Sequence, residues 1–267
     1  MQSDNTNTEK KQWVKDRYAA IAVESKTGCC DSGGCCGSST PKTVAKQIGY
    51  GEEDVSAVPE GANLGLGCGN PIAIASIKPG ETVLDLGSGA GFDCFLAAER
   101  VGDAGKVIGV DMTPEMIDAA TRNAQKAGYT NVEFRLGDIE AMPVDGDSVD
   151  LIISNCVLNL VPDKQKAFNE IHRVLKPGGR VAVADIVLNS PLPEQLRGDA
   201  KSYSSCISGA VMRDEYLGGL RNAGLVDVKV ESEVDALKIL SGDCGCVGAD
   251  KLRGVIMSAR VTARKPV

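Results

Sequence analysis

The short apolar run Thr82-Val83-Leu84-Asp85-Leu86 breaks into Gly87-Ser88-Gly89-Ala90-Gly91, and a helical pattern begins at once with Phe92-Asp93-Cys94-Phe95-Leu96. Glycines at alternate positions between a strand and a helix permit a tight turn and let backbone come close to a ligand. The spacing is GxGxG. Dinucleotide binders carry GxGxxG, whose third glycine serves a pyrophosphate at the helix N-terminus. A strand–loop–helix unit must therefore start at residue 82, and the rest of the chain has to extend it.

The extension is regular. Apolar runs at 82–87, 106–111, 132–136, 149–154 and 180–185 read as strands, with helical stretches near 91–101, 115–127 and 164–175 between them. Thr113-Pro114 supplies a cap and a first-turn proline, and Gly128 suits the end of that helix. Such alternation predicts an α/β fold built on a parallel, doubly wound sheet. After a polar, proline-bearing break at 189–193 come a segment with Cys206, a helix near 213–223, and strands near 226–232 and 254–263. Upstream, residues 1–27 begin polar and become an amphipathic helix in which Val14, Tyr18 and Ile21 share a face. Three regions follow: an N-terminal helix and Cys-rich arm at 1–70, a core at 71–188, and a C-terminal region with the last strands at 189–267.

Ten cysteines and a single histidine are unusual company for such a sheet. No apolar run spans a bilayer, and the opening MQSDNTNTEKKQW lacks the form of a signal peptide, so a cytoplasmic protein is expected. In a reducing compartment cysteines are more often catalytic, redox-active or metal-binding than disulfide-bonded. The net charge of −7 and absence of a basic stripe argue against nucleic acid as a partner.

Several positions can carry chemistry. Asp111 closes the strand VIGVD, where an acid accepts hydrogen bonds from ribose hydroxyls, and Gly137-Asp138-Ile139 follows the third strand. Cys156, in SNCVLNL, lies at the carboxyl end of the fourth strand, where open α/β sheets bind ligands. Cys68 sits in the glycine-rich NLGLGCGNP before the sheet, and Cys206 in YSSCISG after it. Three separated cysteines converging on one pocket suit a soft ion in a trigonal sulfur site. Cys29-Cys30-Asp-Ser-Gly-Gly-Cys35-Cys36 reads as a mobile loop, and CCDSGGCC lacks the C-x2-C spacing of a zinc knuckle. Cys94, among Phe92, Phe95 and Leu96, reads as helix packing, while His172 and Asp185 read as structural. Cys244 and Cys246 fit either a redox pair or a surface loop.

The glycine loop with Asp111, Asp138-Ile139 and LKPGGRVAVAD at 175–185 resembles the class I S-adenosylmethionine (SAM)-dependent methyltransferases over roughly 70–265. The motifs GCGNP, SNCVLNL and CISG, with the paired N-terminal cysteines, are similar to those of arsenite methyltransferases over nearly the whole chain. The resemblance implies a seven-stranded class I sheet with a Cys-bearing N-terminal arm and a small C-terminal substrate-binding region. It implies that Gly87, Gly89 and Gly91 surround the methionine and ribose end of SAM, that Asp111 holds the ribose, and that Asp138 with Ile139 holds the adenine. Asp85, Ser88, Met112 and Asn155 join them as cofactor-binding residues. Cys68, Cys156 and Cys206 match the family's arsenic-binding and redox thiols. An arm cysteine also takes part; Cys29/Cys30 and Cys35/Cys36 compete for that role, the first pair lying at the more typical distance from the Tyr18 helix. Small arsenicals and a thiol reductant such as thioredoxin or glutathione are the implied partners.

Methylating oxygen or nitrogen often needs a general base, whereas trivalent arsenic offers a lone pair and no proton, so a site without histidine loses nothing. Two other readings compete. A methyltransferase of a carbon or oxygen acceptor, such as a quinone precursor, shares the sheet but leaves the thiol loops unexplained. A metalloid-sequestering protein with a vestigial SAM fold leaves the cofactor positions unexplained.

Overall fold

Residues of the Val, Ile and Leu type dominate β1 (Thr82–Leu86), β2 (Lys106–Asp111) and β4 (Val149–Asn155), and they are buried on both faces. Strands covered on both sides read this way because neither face meets water. With β3 (Val132–Leu136), β5 (Leu175–Leu188), β6 (Val226–Asp235) and β7 (Ile256–Arg264) they form a seven-stranded sheet in the order β3-β2-β1-β4-β5-β7-β6. The computed structural model describes residues 2–27, 40–194, 203–240 and 252–267.

Successive side chains of a strand point to opposite faces, and the two cores divide accordingly. Leu84 and Leu86 pack with α6 (Lys164–Val174) and α7 (Arg213–Asn222), whereas Val83, Leu151 and Ile153 pack with α4 (Phe92–Val101) on the other face. α5 (Pro114–Ala127) starts with Pro114 in its first turn and ends on Gly128 at φ 76°, whose N–H reaches the carbonyl of Ala124. Thr113 holds the position before the helix but makes no side-chain cap; its own N–H is engaged by Asp111 Oδ1 at 2.8 Å.

Three features differ from the sequence expectation. The sheet is mixed, since β7 runs antiparallel between β5 and β6; α7 carries the chain past β5 and leaves a slot that β7 fills on its return. β5 starts at Leu175, five residues early, because Leu175 pairs with Val149 across a bulge before Arg180 pairs with Leu151. Short helices α2 (Pro41–Gln47) and α3 (Glu52–Ala57) occupy the segment before the glycine-rich loop. Their start signals were present: the Thr40 side chain accepts from the Thr43 N–H ahead of Pro41, and Asp54 accepts from the Gly51 N–H.

The N-terminal helix α1 (Gln2–Thr27) begins within the polar opening and lies over the carboxyl end of the sheet. Val14 is buried there, with Trp13 and Tyr18 packed into a third apolar cluster that also holds Cys68, Cys156, Cys206, Ile186 and Ile256. Ile21 is only half-buried, the helix instead turning Ala22 inward. No helix among the described residues is long and apolar enough to cross a membrane.

Candidate active site

Beyond the carboxyl ends of the central strands lies a cavity of about 880 Å³, roofed by α1. One end is built by the glycine loop. Gly87 takes φ 66°, and a Cβ there would stand 2.4 Å from Val157. Only glycine accepts both the left-handed backbone and that contact. Asp85, Ser88, Asp111, Met112, Asp138, Ile139 and Asn155 all line the same cavity with Gly87 and Gly89, whereas Gly91 stands at the start of α4 with φ 98°.

The acids of this end are held in place by backbone donors. Asp111 accepts from the N–H groups of Thr113 and Gly89 at 2.8 and 3.0 Å. Asp138 accepts from the Glu140 N–H at 2.9 Å and from Lys11 Nζ at 2.6 Å, and Lys11 also reaches Glu140 at 2.8 Å. Burial pushes Asp111 up, and burial followed by the charge of Asp93 pushes Asp85 far above the ordinary carboxylate range. Asp93, in the first turn of α4, is pushed up to about 6 by burial, against the pull of hydrogen bonds from Tyr50 and Asn155. A cation entering among Asp85, Asp93 and Asp111 would stabilise their ionised forms. The buried Ser88 Oγ has no partner, an open hydrogen-bonding position of the sort a polar ligand fills. SAM carries a sulfonium, an ammonium and ribose hydroxyls, so the residues present fit it.

Cys156 and Cys206 line the other end, and Cys68 is packed against Cys156 just behind the lining. Cys68, Cys156 and Cys206 are all free thiols and all buried. Cys156 directly follows β4, and its N–H bonds the Ala184 carbonyl at 2.7 Å, so β5 fixes its height. Cys156 and Cys206 adopt φ 60° and 63°, a left-handed backbone uncommon at non-glycine residues. The Cys206 thiol lies 3.0 Å from the Cys156 carbonyl oxygen. Burial pushes the Cys68 thiol up to about 11. For Cys156 the hydrogen bond from Cys206 favours the thiolate, but its bond to Cys68, burial and the neighbouring charges win and raise it well above the usual range. Cys206 is raised by its bond to Cys156 and by burial. Burial and the contacts among the three thus favour the neutral thiols.

Asn155 joins the two ends. Its Oδ1 accepts from the Cys68 N–H at 3.0 Å, while Nδ2 donates to the Gly69 carbonyl and the Tyr50 hydroxyl at 2.9 Å each. Tyr50 in turn donates to Asp93 at 2.6 Å. A Cβ on Gly67 would meet the Asn155 amide at 2.8 Å, and Gly67 itself has φ 111°. The glycines of the loop thus let Cys68 be clamped from β4.

Several residues depart from their sequence reading or were missed by it, Tyr50 and Asp93 among the missed. Asp185, expected to be structural, lies within 4.8 Å of the Cys68 and Cys156 sulfurs and is buried. Burial lifts it to about 7, against the nearby Lys164 and the donors Ile186 N–H and Tyr216 hydroxyl. Cys94 is buried as expected, but its thiol also donates to Asp85 at 3.2 Å. Lys11 carries no motif that could have announced it. His172 is half-buried on α6, away from the cavity lining. Cys29 and Cys30, like Cys35, Cys36, Cys244 and Cys246, lie outside the described residues.

A methyltransferase-domain family profile matches residues 77–224. The chain is 46% identical to an arsenite methyltransferase of Halobacterium salinarum, across 100% of this chain and 69% of that one. It is 35% identical to an arsenite methyltransferase of Aquipseudomonas alcaligenes, across 81% of this chain and 62% of the relative. Among solved structures, an arsenic(III) S-adenosylmethionine methyltransferase of Chlamydomonas reinhardtii superposes with a TM-score of 0.63 at 31% identity, covering 86% of this chain and 75% of that one.

Proposed function

The chain belongs to the arsenite methyltransferases, and on that premise we propose that it transfers methyl groups from SAM to trivalent arsenic held by the thiols of Cys68, Cys156 and Cys206. The observation that carries the proposal is that Cys156 and Cys206 line one end of a cavity whose other end is lined by Asp85, Ser88, Asp111 and Asp138, with the buried Cys68 sulfur within 4.8 Å of that of Cys156.

SAM, when bound, supplies an electrophilic methyl group. On this reading Asp111 and Ser88 hold its ribose end, Asp138 and Ile139 its adenine, and Asp85 its cationic end, a reading supported by all five lining one cavity. Arsenite enters as neutral As(OH)3. Each neutral thiol that displaces a hydroxide gives its proton to that hydroxide, so one As–O bond becomes one As–S bond and water leaves. Three such exchanges need no net charge to enter the buried cluster, which suits thiols held neutral by burial. The protein then has only to set the arsenic lone pair in line with the methyl–sulfur bond. No base is required, consistent with the distance of His172 from the cavity lining.

Transfer formally oxidises arsenic by two electrons. A pair of thiols returns them by closing to a disulfide, and an external thiol reductant such as thioredoxin or glutathione reopens it by exchange. Cys29 and Cys30 of the arm are the proposed participants, and a cytoplasmic, reducing setting is the one in which such a cycle runs. Methylated arsenicals are the products, and detoxification of arsenic the role. The N-terminal segment to residue 70 brings the arm and Cys68, and the segment from 189 brings Cys206.

The test is to incubate purified protein with methyl-labelled SAM, arsenite and a thiol reductant, then separate the arsenic species. Labelled methylarsenic supports the proposal; SAM binding without methylarsenic refutes it.

A further inference from the structure

Cys68 Sγ, Cys156 Sγ and a carboxylate oxygen of Asp185 lie within 4.8 Å of one another, and all three residues are buried. Trivalent arsenic bound by three thiolates has a complete ligand set, its fourth direction taken by the lone pair. The proposed methyl transfer thus gives Asp185 no bond to make. A carboxylate at 1% exposure among thiols is nevertheless an expensive group to keep.

We infer that Cys68, Cys156 and Asp185 form a mixed sulfur–oxygen site for a thiophilic divalent cation of the Zn2+ or Cd2+ class. Zinc takes thiolate sulfur at about 2.3 Å and carboxylate oxygen at about 2.1 Å in a tetrahedron, which sets neighbouring ligand atoms roughly 3.5–3.8 Å apart. The observed limit of 4.8 Å needs only a small contraction. Two thiols select against Ca2+ and Mg2+, which prefer all-oxygen shells. Asp185 is already oriented: one oxygen accepts from Asn159 Nδ2 and the Ile186 N–H, the other from the Tyr216 hydroxyl at 3.3 Å. Cys206, whose thiol touches the Cys156 carbonyl, stands beside the trio to complete the coordination.

Binding involves no redox change. The thiols release their protons to solvent, metal–sulfur and metal–oxygen bonds form, and the divalent charge offsets the buried anions. Because the cation takes Cys68 and Cys156, it excludes arsenic from them, so such ions act as inhibitors competing at the thiols. The site does not depend on the methyl-transfer reading, since it can be measured with neither SAM nor arsenite present.

The experiment uses full-length protein with Cys29, Cys30, Cys35, Cys36, Cys244 and Cys246 replaced by serine, titrated with Cd2+ alone. Thiolate-to-cadmium absorption reports affinity and cadmium NMR reports the ligand types. One equivalent should bind, with a resonance between the all-sulfur and all-oxygen ranges. Cys156→Ser should abolish it. Asp185→Asn should weaken it at least about ten-fold, as losing a direct ligand costs no less than losing a ligand's hydrogen-bond partner, which is worth about 10–100-fold. Retained binding in Cys156→Ser, unchanged affinity in Asp185→Asn, or an all-sulfur resonance would each overturn the assignment. Should Asp185→Asn fail to fold, the resonance of the protein carrying Asp185 decides alone.

Discussion

The thiol of Cys206 rests 3.0 Å from the carbonyl oxygen of Cys156, and both residues hold a left-handed backbone. Segments 50 residues apart in sequence thus bring sulfur to the same spot from opposite sides. Left-handed backbone at a non-glycine residue costs about 1–3 kcal/mol and persists only where surrounding structure enforces it. Replacing either sulfur by oxygen keeps the backbone and size but removes the soft ligand. Cys156→Ser and Cys206→Ser should each abolish methylation of inorganic arsenite while shifting folding stability by only about 1 kcal/mol. Arsenic speciation and thermal unfolding of the same preparations check both halves; wild-type turnover by both variants contradicts the assignment.

Asn155 clamps the loop of Cys68 through that residue's N–H and the Gly69 carbonyl. Asn155→Ala frees two backbone groups and leaves the Cys68 thiol unpositioned. Arsenite affinity should fall about ten-fold or more, corresponding to about 1.4 kcal/mol, with a smaller effect on SAM affinity. Parallel titrations with each ligand measure the difference. Gly67→Ala should reproduce the loss by driving the Asn155 amide from its place.

Asp93 sets a pH dependence. Burial raises it to about 6, so its carboxyl is neutral below that value and ionised above it. A cationic ligand gains from the ionised form. SAM affinity should therefore fall as pH drops from 7.5 through 6, and Asp93→Asn should flatten the profile. For stability the sign is opposite: the contribution of protonated Asp93 is complete below the unfolded carboxyl range and is lost as pH rises through 6. The advantage of Asp93→Asn in thermal unfolding without ligand should grow between pH 5 and pH 7.

Lys11 bridges Asp138 and Glu140 and fastens α1 across the Asp138 end of the cavity. The pair is partly exposed, at 25% and 39% for Lys11 and Asp138, so water and salt screen it. Lys11→Met should cost about 1 kcal/mol or less, and added salt should shrink the difference. Hydrogen exchange along α1 should nonetheless quicken, because the helix loses its tie to β3's loop.

The sheet was legible because its signals are local. β1, β2 and β4 are short apolar runs, the helix beginning at Pro114 and ending before Gly128 declares both ends, and Gly87, Asp111 and Asp138 lie at or just after the ends of strands that line one cavity. Cys156 was placed at the site for the same reason. The antiparallel β7 was not legible, because nothing in 254–263 records which neighbour it will pair with. Asp185 was missed as a partner of the thiols because the β4–β5 register, pairing Asn155 with Ala184, sets that contact across the sheet. Lys11 lies 127 residues from Asp138, and an ion pair at that separation leaves no pattern in the sequence.

In the proposed complex, arsenic sits on three sulfurs beside the methyl donor. The most direct test is the arsenic X-ray absorption of one equivalent of arsenite on full-length protein with Cys29, Cys30, Cys35, Cys36, Cys244 and Cys246 replaced by serine. Three arsenic–sulfur neighbours and no oxygen are expected, with loss of sulfur neighbours in Cys68→Ser, Cys156→Ser and Cys206→Ser alike. An arsenic that keeps oxygen ligands, or a spectrum indifferent to those three substitutions, would contradict it.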